Sequence, residues 1–426
     1  MKYLVLLMTL LAGNISAAAD VIEFADGKKV DGTITSIRKA EKEFDFSPQA
    51  GSSSTKTVYQ FDEVHRVLYQ GKWFVLTPKS SASASADEDN GTTGTVTRSK
   101  AEVLALIEAA GKTPPDWFES TPLDYPNTLD LSWPIKPPKG PWQAHKNMGQ
   151  YIWSVINENP GRWHSGIKLI HHCVSLHKDD RERLQRDMRA LGAAYFRLLQ
   201  DYPRAAFWFQ QGKASVDTND GIWLAECYWR LGNRGMALQM LRSRRLNLGA
   251  IKLYGDMGEI DRALSLTKAF VNSGNDYQAN VLAADALRQA GRYDEAIDYY
   301  QRVLNSKQWR NEEYENRFKA RAQESINTIR LYEQADLSRV ADGTYRDSST
   351  GYNGKLTVEV NVASGRLQSV KVVDHKEKQF YSSLTDTPAQ LIERQSVQGI
   401  DGTSSATITS QAIVNATAKA LAQGTR

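Results

Sequence analysis

Residues 281–304 read VLAADALRQAGRYDEAIDYYQRVL. Ala283 and Ala284 lead to Leu287 at helical spacing, the run breaks at Gly291, and a second helical pattern begins at Ala296 and carries Tyr300. Small residues where two helices cross let their backbones approach, and large residues such as Tyr300 fill the gaps beside them. The segment therefore reads as two antiparallel helices joined by a glycine turn.

The same grammar recurs upstream. Leu191-Gly192-x-x-Tyr195 and Leu224-Ala225-x-x-Tyr228 repeat the first-helix signature, and Ala205, Ala237 and Ala263 repeat the small residue of the second helix. Gly232, Gly258 and Gly291 each stand five residues before Ala237, Ala263 and Ala296. Phe209, Tyr195, Tyr228 and Tyr300 are the gap-filling side chains. This pattern resembles the tetratricopeptide repeat. The spacing from Ala237 to Ala263 falls short of the usual ~34 residues, so one helix there is expected to be trimmed. A further pair is expected from Gly149, and Arg317 to Tyr332 reads as the terminal capping helix. The α-helical solenoid is thus placed at residues 149–335. Such arrays dock partners and carry no chemistry of their own.

Beyond the array, Leu356, Val358, Val360 and Val362 alternate with polar residues as a half-buried strand does. Ser364-Gly365 reads as a turn, and Leu367, Val370 and Val372 continue a second strand. The chain then reaches DGTSSATIT at residues 401–409, followed by SQAIVNATAKAL. Ala412, Ile413, Ala416, Ala420 and Leu421 have helical spacing, with Thr409 or Ser410 expected as N-cap. A helix N-terminus beside Thr407 favours a phosphate. Gly402, Ser405 and Ala406 are small enough for close backbone approach, and the hydroxyls of Thr403 and Ser404 can donate to phosphate oxygens.

The succession DGTYRD, GYNGKLTVEV, SGRLQSVKVVDHKE and DGTSSAT resembles FMN-binding domains, including the extracytoplasmic flavoprotein subunits of the sodium-pumping quinone reductase (its C subunit) and of the Rnf complex (its G subunit). The resemblance covers roughly Asp336 to Ala422, and the α+β domain is placed at residues 336–426. It implies FMN held through a phosphoester bond to Thr407, the last position of the motif Asp-x-x-Ser/Thr-Gly-Ala-Thr. It also implies that Asp401 is the carboxylate used in the transfer reaction and that the remaining loop residues, Thr403, Ser404, Ser405 and Ala406, line the cofactor. Ser405 stands where the family has Gly. Thr409 is the nearest alternative acceptor. The maturation partner implied is a flavin transferase using FAD. The working partner implied is a redox protein, with association with a membrane complex.

At the other end, Lys2, the apolar run Tyr3 to Ala12 and Ala17-x-Ala19 read as a signal peptide over residues 1–19. Export to the periplasm or another extracytoplasmic space is therefore expected. Residues 20–78 contain several short alternating runs and an Asp26-Gly27 hairpin signal, and resemble a small SH3-like β-barrel of the SLA1-homology type. Residues 79–98 are Ser, Ala, Gly, Thr and acid-rich, a linker. Residues 99–148 hold a helix with Val103, Leu104, Leu106 and Ile107, then a Pro- and Trp-rich strap. Trp117, Phe118, Tyr125, Leu129, Leu131, Trp133 and Trp142 are expected to pack it on the helices.

The formal net charge is +4 over 426 residues, which carries no nucleic-acid footprint. After the signal peptide no segment is apolar enough to span a membrane. Cys173 and Cys227 read as buried free thiols. His171-His172-Cys173 does not read as a metal site, because adjacent helical side chains diverge by about 100°. Asp256, Glu259 and Asp261 read as a solvated repeat face, and no hydrolase elbow, zinc helix or P-loop is present. The whole reads as a multidomain electron-transfer flavoprotein rather than a stand-alone enzyme. A non-redox envelope scaffold and a flavin-dependent reductase of a small substrate are the alternatives.

Overall fold

A computed structural model of the chain describes residues 20–24, 29–38, 43–48, 57–64, 66–69, 72–75, 97–136, 139–272, 274–378, 381–400, 402 and 406–425. The expected signal peptide and nearly all of the expected linker lie outside these residues, as do Asp401, Thr403, Ser404 and Ser405 of the flavin motif. The chain divides into two compact units, Met1–Gly91 and Thr92–Arg426.

In the first unit, β1 (Asp20–Glu23), β2 (Lys29–Arg38), β3 (Glu43–Pro48), β4 (Thr57–Gln60), β5 (Arg66–Tyr69) and β6 (Lys72–Val75) form one antiparallel sheet in the order β4-β3-β2-β1-β5-β6. Glu23 pairs with Lys29 across the expected hairpin, whose Asp26-Gly27 lies outside the described residues. Ile22, Ile34, Phe44, Phe46, Val64 and Val67 make its core. The expected barrel is not closed among the described residues: no pairing joins the edge strands β4 and β6. Alternation specifies which face of a strand is buried, not whether a sheet returns on itself.

The second unit opens with α1 (Lys100–Lys112), started by a reciprocal capping box between Ser99 and Glu102. Val103 and Ile107 are buried, whereas Leu104 and Leu106 face outward. The strap that follows is ordered on the helices. Trp117 stacks on His164 with ring centroids 4.1 Å apart, the Arg186 guanidinium lies over Trp133 at 4.4 Å, and Lys168 donates to the carbonyls of Phe118 and Thr121. Trp142 departs from the expectation. It is 59% exposed and makes only a 3.4 Å contact from its indole N–H to Ser154.

A short helical stretch, α2 (Met148–Tyr151), precedes α3 (Trp163–Leu176) and α4 (Arg181–Ala194). Next come α5 (Tyr202–Gln211), α6 (Asn219–Arg230), α7 (Arg234–Met240), α8 (Ala250–Asp256), α9 (Ile260–Asn272), α10 (Asp276–Gln289), α11 (Tyr293–Asn305) and α12 (Glu312–Ile329). Consecutive helices pack as pairs from α4 to α11. Ala205, Ala237, Ala263 and Ala296 are fully buried at the crossings. Gly232, Gly258 and Gly291 adopt φ of 91°, 76° and 75° at the turns, which a side chain would strain. The short spacing is absorbed by α7 and α8, of seven residues each. Cys173 and Cys227 are buried free thiols, and burial pushes the Cys173 thiol up to about 12.

The C-terminal region is a three-stranded antiparallel sheet, β7 (Gly343–Thr350), β8 (Lys355–Ala363) and β9 (Arg366–Asp374), with α13 (Ser383–Arg394) and α14 (Thr407–Ala422). Ser364 and Gly365 both take positive φ, 54° and 67°, in the β8–β9 turn. α14 packs on β7 and β8 with one side and on α12 with another. Its Ala-rich sequence suits this double contact, and it is buried on almost every face. One core accordingly runs from Val281, Leu287, Tyr300 and Ile326 of the last repeat into Leu356, Val358, Val360 and Ile413. At the far end, the Tyr381 hydroxyl reaches the carbonyl of Glu158 at 3.0 Å. Among the described residues no helix is long and apolar enough to cross a membrane.

Candidate functional site

α14 begins at Thr407 itself. Its N-cap is Ala406, with φ −120° and ψ 24° and no side-chain cap bond, so the expected capping by Thr409 or Ser410 does not occur. The first backbone bond of the helix runs from Ser410 N–H to the Ala406 carbonyl. The N–H groups of the turn before it have no acceptor within the helix. Gly402 lies near Thr407: a Cβ added there would stand 3.4 Å from Thr407 Cγ2, an ordinary van der Waals contact.

Thr407 sits at the junction of two cavities. One, of about 40 Å³, is lined by Thr407, Ser410, Gly402, Lys252, Asp256 and Arg288, among others. The other, of about 270 Å³, is mostly apolar and is lined by Leu248, Leu282, Phe318, Tyr352 and Thr407, with Arg321 at its wall. Both therefore have walls from the first helices of the repeat pairs, α8 and α10, or from α12. Asp256, expected on a solvated face, is 7% exposed and pairs with Lys252. Glu259 is half-buried and paired with Arg234 and Arg262, whereas Asp261 is exposed.

A buried polar network ties the repeat to α14. Asp285 accepts from the Tyr300 hydroxyl at 2.7 Å and from the Arg321 guanidinium. Arg321 also donates through Nε to Gln411 at 3.0 Å. Arg288 donates through Nε to the Tyr332 hydroxyl at 2.5 Å and through Nη2 to Asn415 Oδ1 at 2.9 Å. Its Nη1 is buried without a partner. None of these residues is singled out as part of a site in the sequence analysis.

On the sheet side, the Glu377 carboxylate is buried and accepts the Tyr352 N–H at 2.7 Å. It sits above its ordinary pKa because burial outweighs the Tyr352 and Asn353 N–H donors. Gly351 is what lets the acid close on this loop, since a Cβ would fall 2.1 Å from Glu377 Oε1. The Arg317 guanidinium covers the Tyr352 ring at 4.5 Å. Thr409 is fully buried, whereas Thr407 is only partly so. His171, His172 and Cys173 form no metal cluster, and none is present among the described residues.

The fold and site define a helical-repeat protein with a flavin-type module seated against its inner helices. Comparison with known families agrees: residues 351–422 match the FMN-binding domain, and residues 277–308 match the tetratricopeptide repeat. The chain is also 38% identical over 88 residues to an uncharacterized protein of Treponema pallidum (strain Nichols), a match covering 20% of this chain and 24% of that protein. No solved structure matches the chain.

Proposed function

We propose that the chain is an extracytoplasmic electron-transfer flavoprotein that carries FMN in phosphoester linkage on Thr407. The observation that carries the reading is the place of Thr407: first residue of α14, partly buried, and lining both cavities. The residues fit the group. A planar, largely apolar ring system suits the slot of about 270 Å³ between Leu248, Leu282, Phe318 and Tyr352, close to the lower end of roughly 300–1,000 Å³ for ligand sites. A phosphate suits the helix N-terminus.

Bound flavin supplies the electron-accepting and electron-releasing chemistry; the chain supplies position and environment. Thr407 fixes the tether. Leu248, Leu282 and Phe318 keep water from one side of the slot, and Tyr352, held by Glu377 and Arg317, closes another. With FAD as donor, a P–O bond to Thr407 Oγ1 replaces the pyrophosphate P–O bond. AMP would leave carrying the hydroxyl proton. The inner helices are taken up by the chain's own C-terminal domain, so a redox partner docks on other surfaces.

Co-expression with a flavin transferase, then peptide mapping by mass spectrometry, tests this. One FMN on the Thr407 peptide, lost in Thr407→Ala, is expected. Flavin on Thr409, or none while a control domain is modified, refutes it.

A further inference from the structure

The small cavity beside Thr407 is lined by a buried guanidinium that makes no ion pair among the described residues. Arg288 is 7% exposed, and its two bonded partners, Tyr332 and Asn415, are neutral. The nearby carboxylates are already engaged, Asp256 with Lys252 and Asp285 with Arg321. Among the described residues no carboxylate forms an ion pair with Arg288. Burying a guanidinium without a counter-charge costs several kcal/mol, so native structures pair such groups. Nη1 is a buried donor with no acceptor, and it belongs to a residue lining the cavity that Thr407 and Ser410 also line. The cavity measures about 40 Å³, roughly three times the 10–15 Å³ that one water needs. It therefore has room for a small oxyanion.

We propose that this cavity is a phosphate site built by the repeat array: Arg288 of α10 donates through Nη1 to the phosphodiester oxygen of FMN on Thr407. The inference rests on the reading of Thr407 as the flavin acceptor. It adds that the anion's counter-charge comes from the repeats and not from the FMN-binding domain. A phosphodiester carries one negative charge, of opposite sign to this guanidinium. The free N–H groups of the first turn of α14 complete the shell on the other side. Arg288 is then a cofactor-binding residue 119 positions from the tether in sequence. The rest of its hydrogen bonds serve to aim it.

The test uses the full chain in two states. Without flavin, inorganic phosphate is titrated and followed by ³¹P line broadening and calorimetry. Wild type and Thr407→Val should bind. Arg288→Gln should bind about tenfold more weakly or worse, the effect of losing one charged hydrogen bond. Asn415→Asp, which gives Arg288 a built-in carboxylate, should lose phosphate binding while keeping the fold. It therefore decides the matter even if Arg288→Gln fails to fold. After co-expression with the transferase, the diester ³¹P resonance should shift in Asn415→Asp relative to wild type. If wild type takes no flavin, the function proposed above falls, and the phosphate titration still judges Arg288. Equal phosphate binding in wild type and both Arg288-directed variants, or none in wild type, overturns the proposal.

Discussion

Asp285→Ala probes the junction between the last repeat and α14. Asp285 and Arg321 are both buried, at 8% and 5% exposure, and are joined in an ion pair that also receives the Tyr300 hydroxyl. Removing the carboxylate leaves the Arg321 guanidinium buried with only Gln411 as a partner, and strands the Tyr300 hydroxyl. Breaking a buried pair from one side costs about 3–5 kcal/mol. With a urea slope of about 3 kcal/mol/M, the midpoint should fall by about 1–1.7 M. Arg321→Met alone should cost less than Asp285→Ala, and the double variant should recover part of the loss, because an apolar pair leaves no orphan charge. The assay is urea denaturation of the four proteins, followed by circular dichroism. A loss below about 1 kcal/mol in Asp285→Ala, or simple additivity in the double variant, would refute the claim that this pair is coupled and desolvated.

Trp117→Ala should cost about 3 kcal/mol, the usual size for a packed large aromatic, whereas Trp142→Ala should stay within about 0.5 kcal/mol as an exposed site; thermal melts of the two variants check the contrast. His171 supplies a pH signature. Burial holds its imidazole down at about 4, against 6.5 for the ordinary group. The unfolded chain therefore binds the extra proton between these values. The stabilisation is complete above about pH 6.5 and is lost as pH falls toward 4, about 3 kcal/mol in all. Denaturation of wild type and His171→Gln at pH 7 and pH 4.5 should show a smaller pH dependence in the variant, and an equal dependence would count against the burial argument.

Most of the secondary structure was readable because it depends on near neighbours. Apolar alternation located β8 and β9, Ser364-Gly365 located their turn, and the glycine–alanine spacing located the repeat turns at Gly232, Gly258 and Gly291. Alternation could not report whether the first sheet closes. The site was legible only where it is local. Thr407, Ala406 and Gly402 are local to the motif, whereas Arg288, Lys252, Asp256, Arg321 and Glu377 come to its neighbourhood by tertiary packing, which local sequence does not report: Arg288 meets Asn415 across 127 positions. One signal was available. Asp285 and Arg288 lie on the same helical face as Val281 and Ala284, where a soluble helix ordinarily buries apolar groups. Charges on that face announce a paired or ligand-bound interior. Helix capping failed as a guide at Thr407 because the first turn there has no side-chain cap.

The continuous core from α10 through β8 to α14 has a consequence for how such a chain can be recombined. A cut at residue 336 would uncover Val281, Ala322 and Ile326 on one fragment and Val414 and Ala418 on the other, along with the half-made network around Arg288. The C-terminal piece is therefore not a portable cassette. Grafted onto a different carrier, it would bring an exposed apolar flank and Asn415 without the Arg288 guanidinium it accepts from. Repeat and flavin module must be exchanged, inherited or engineered together.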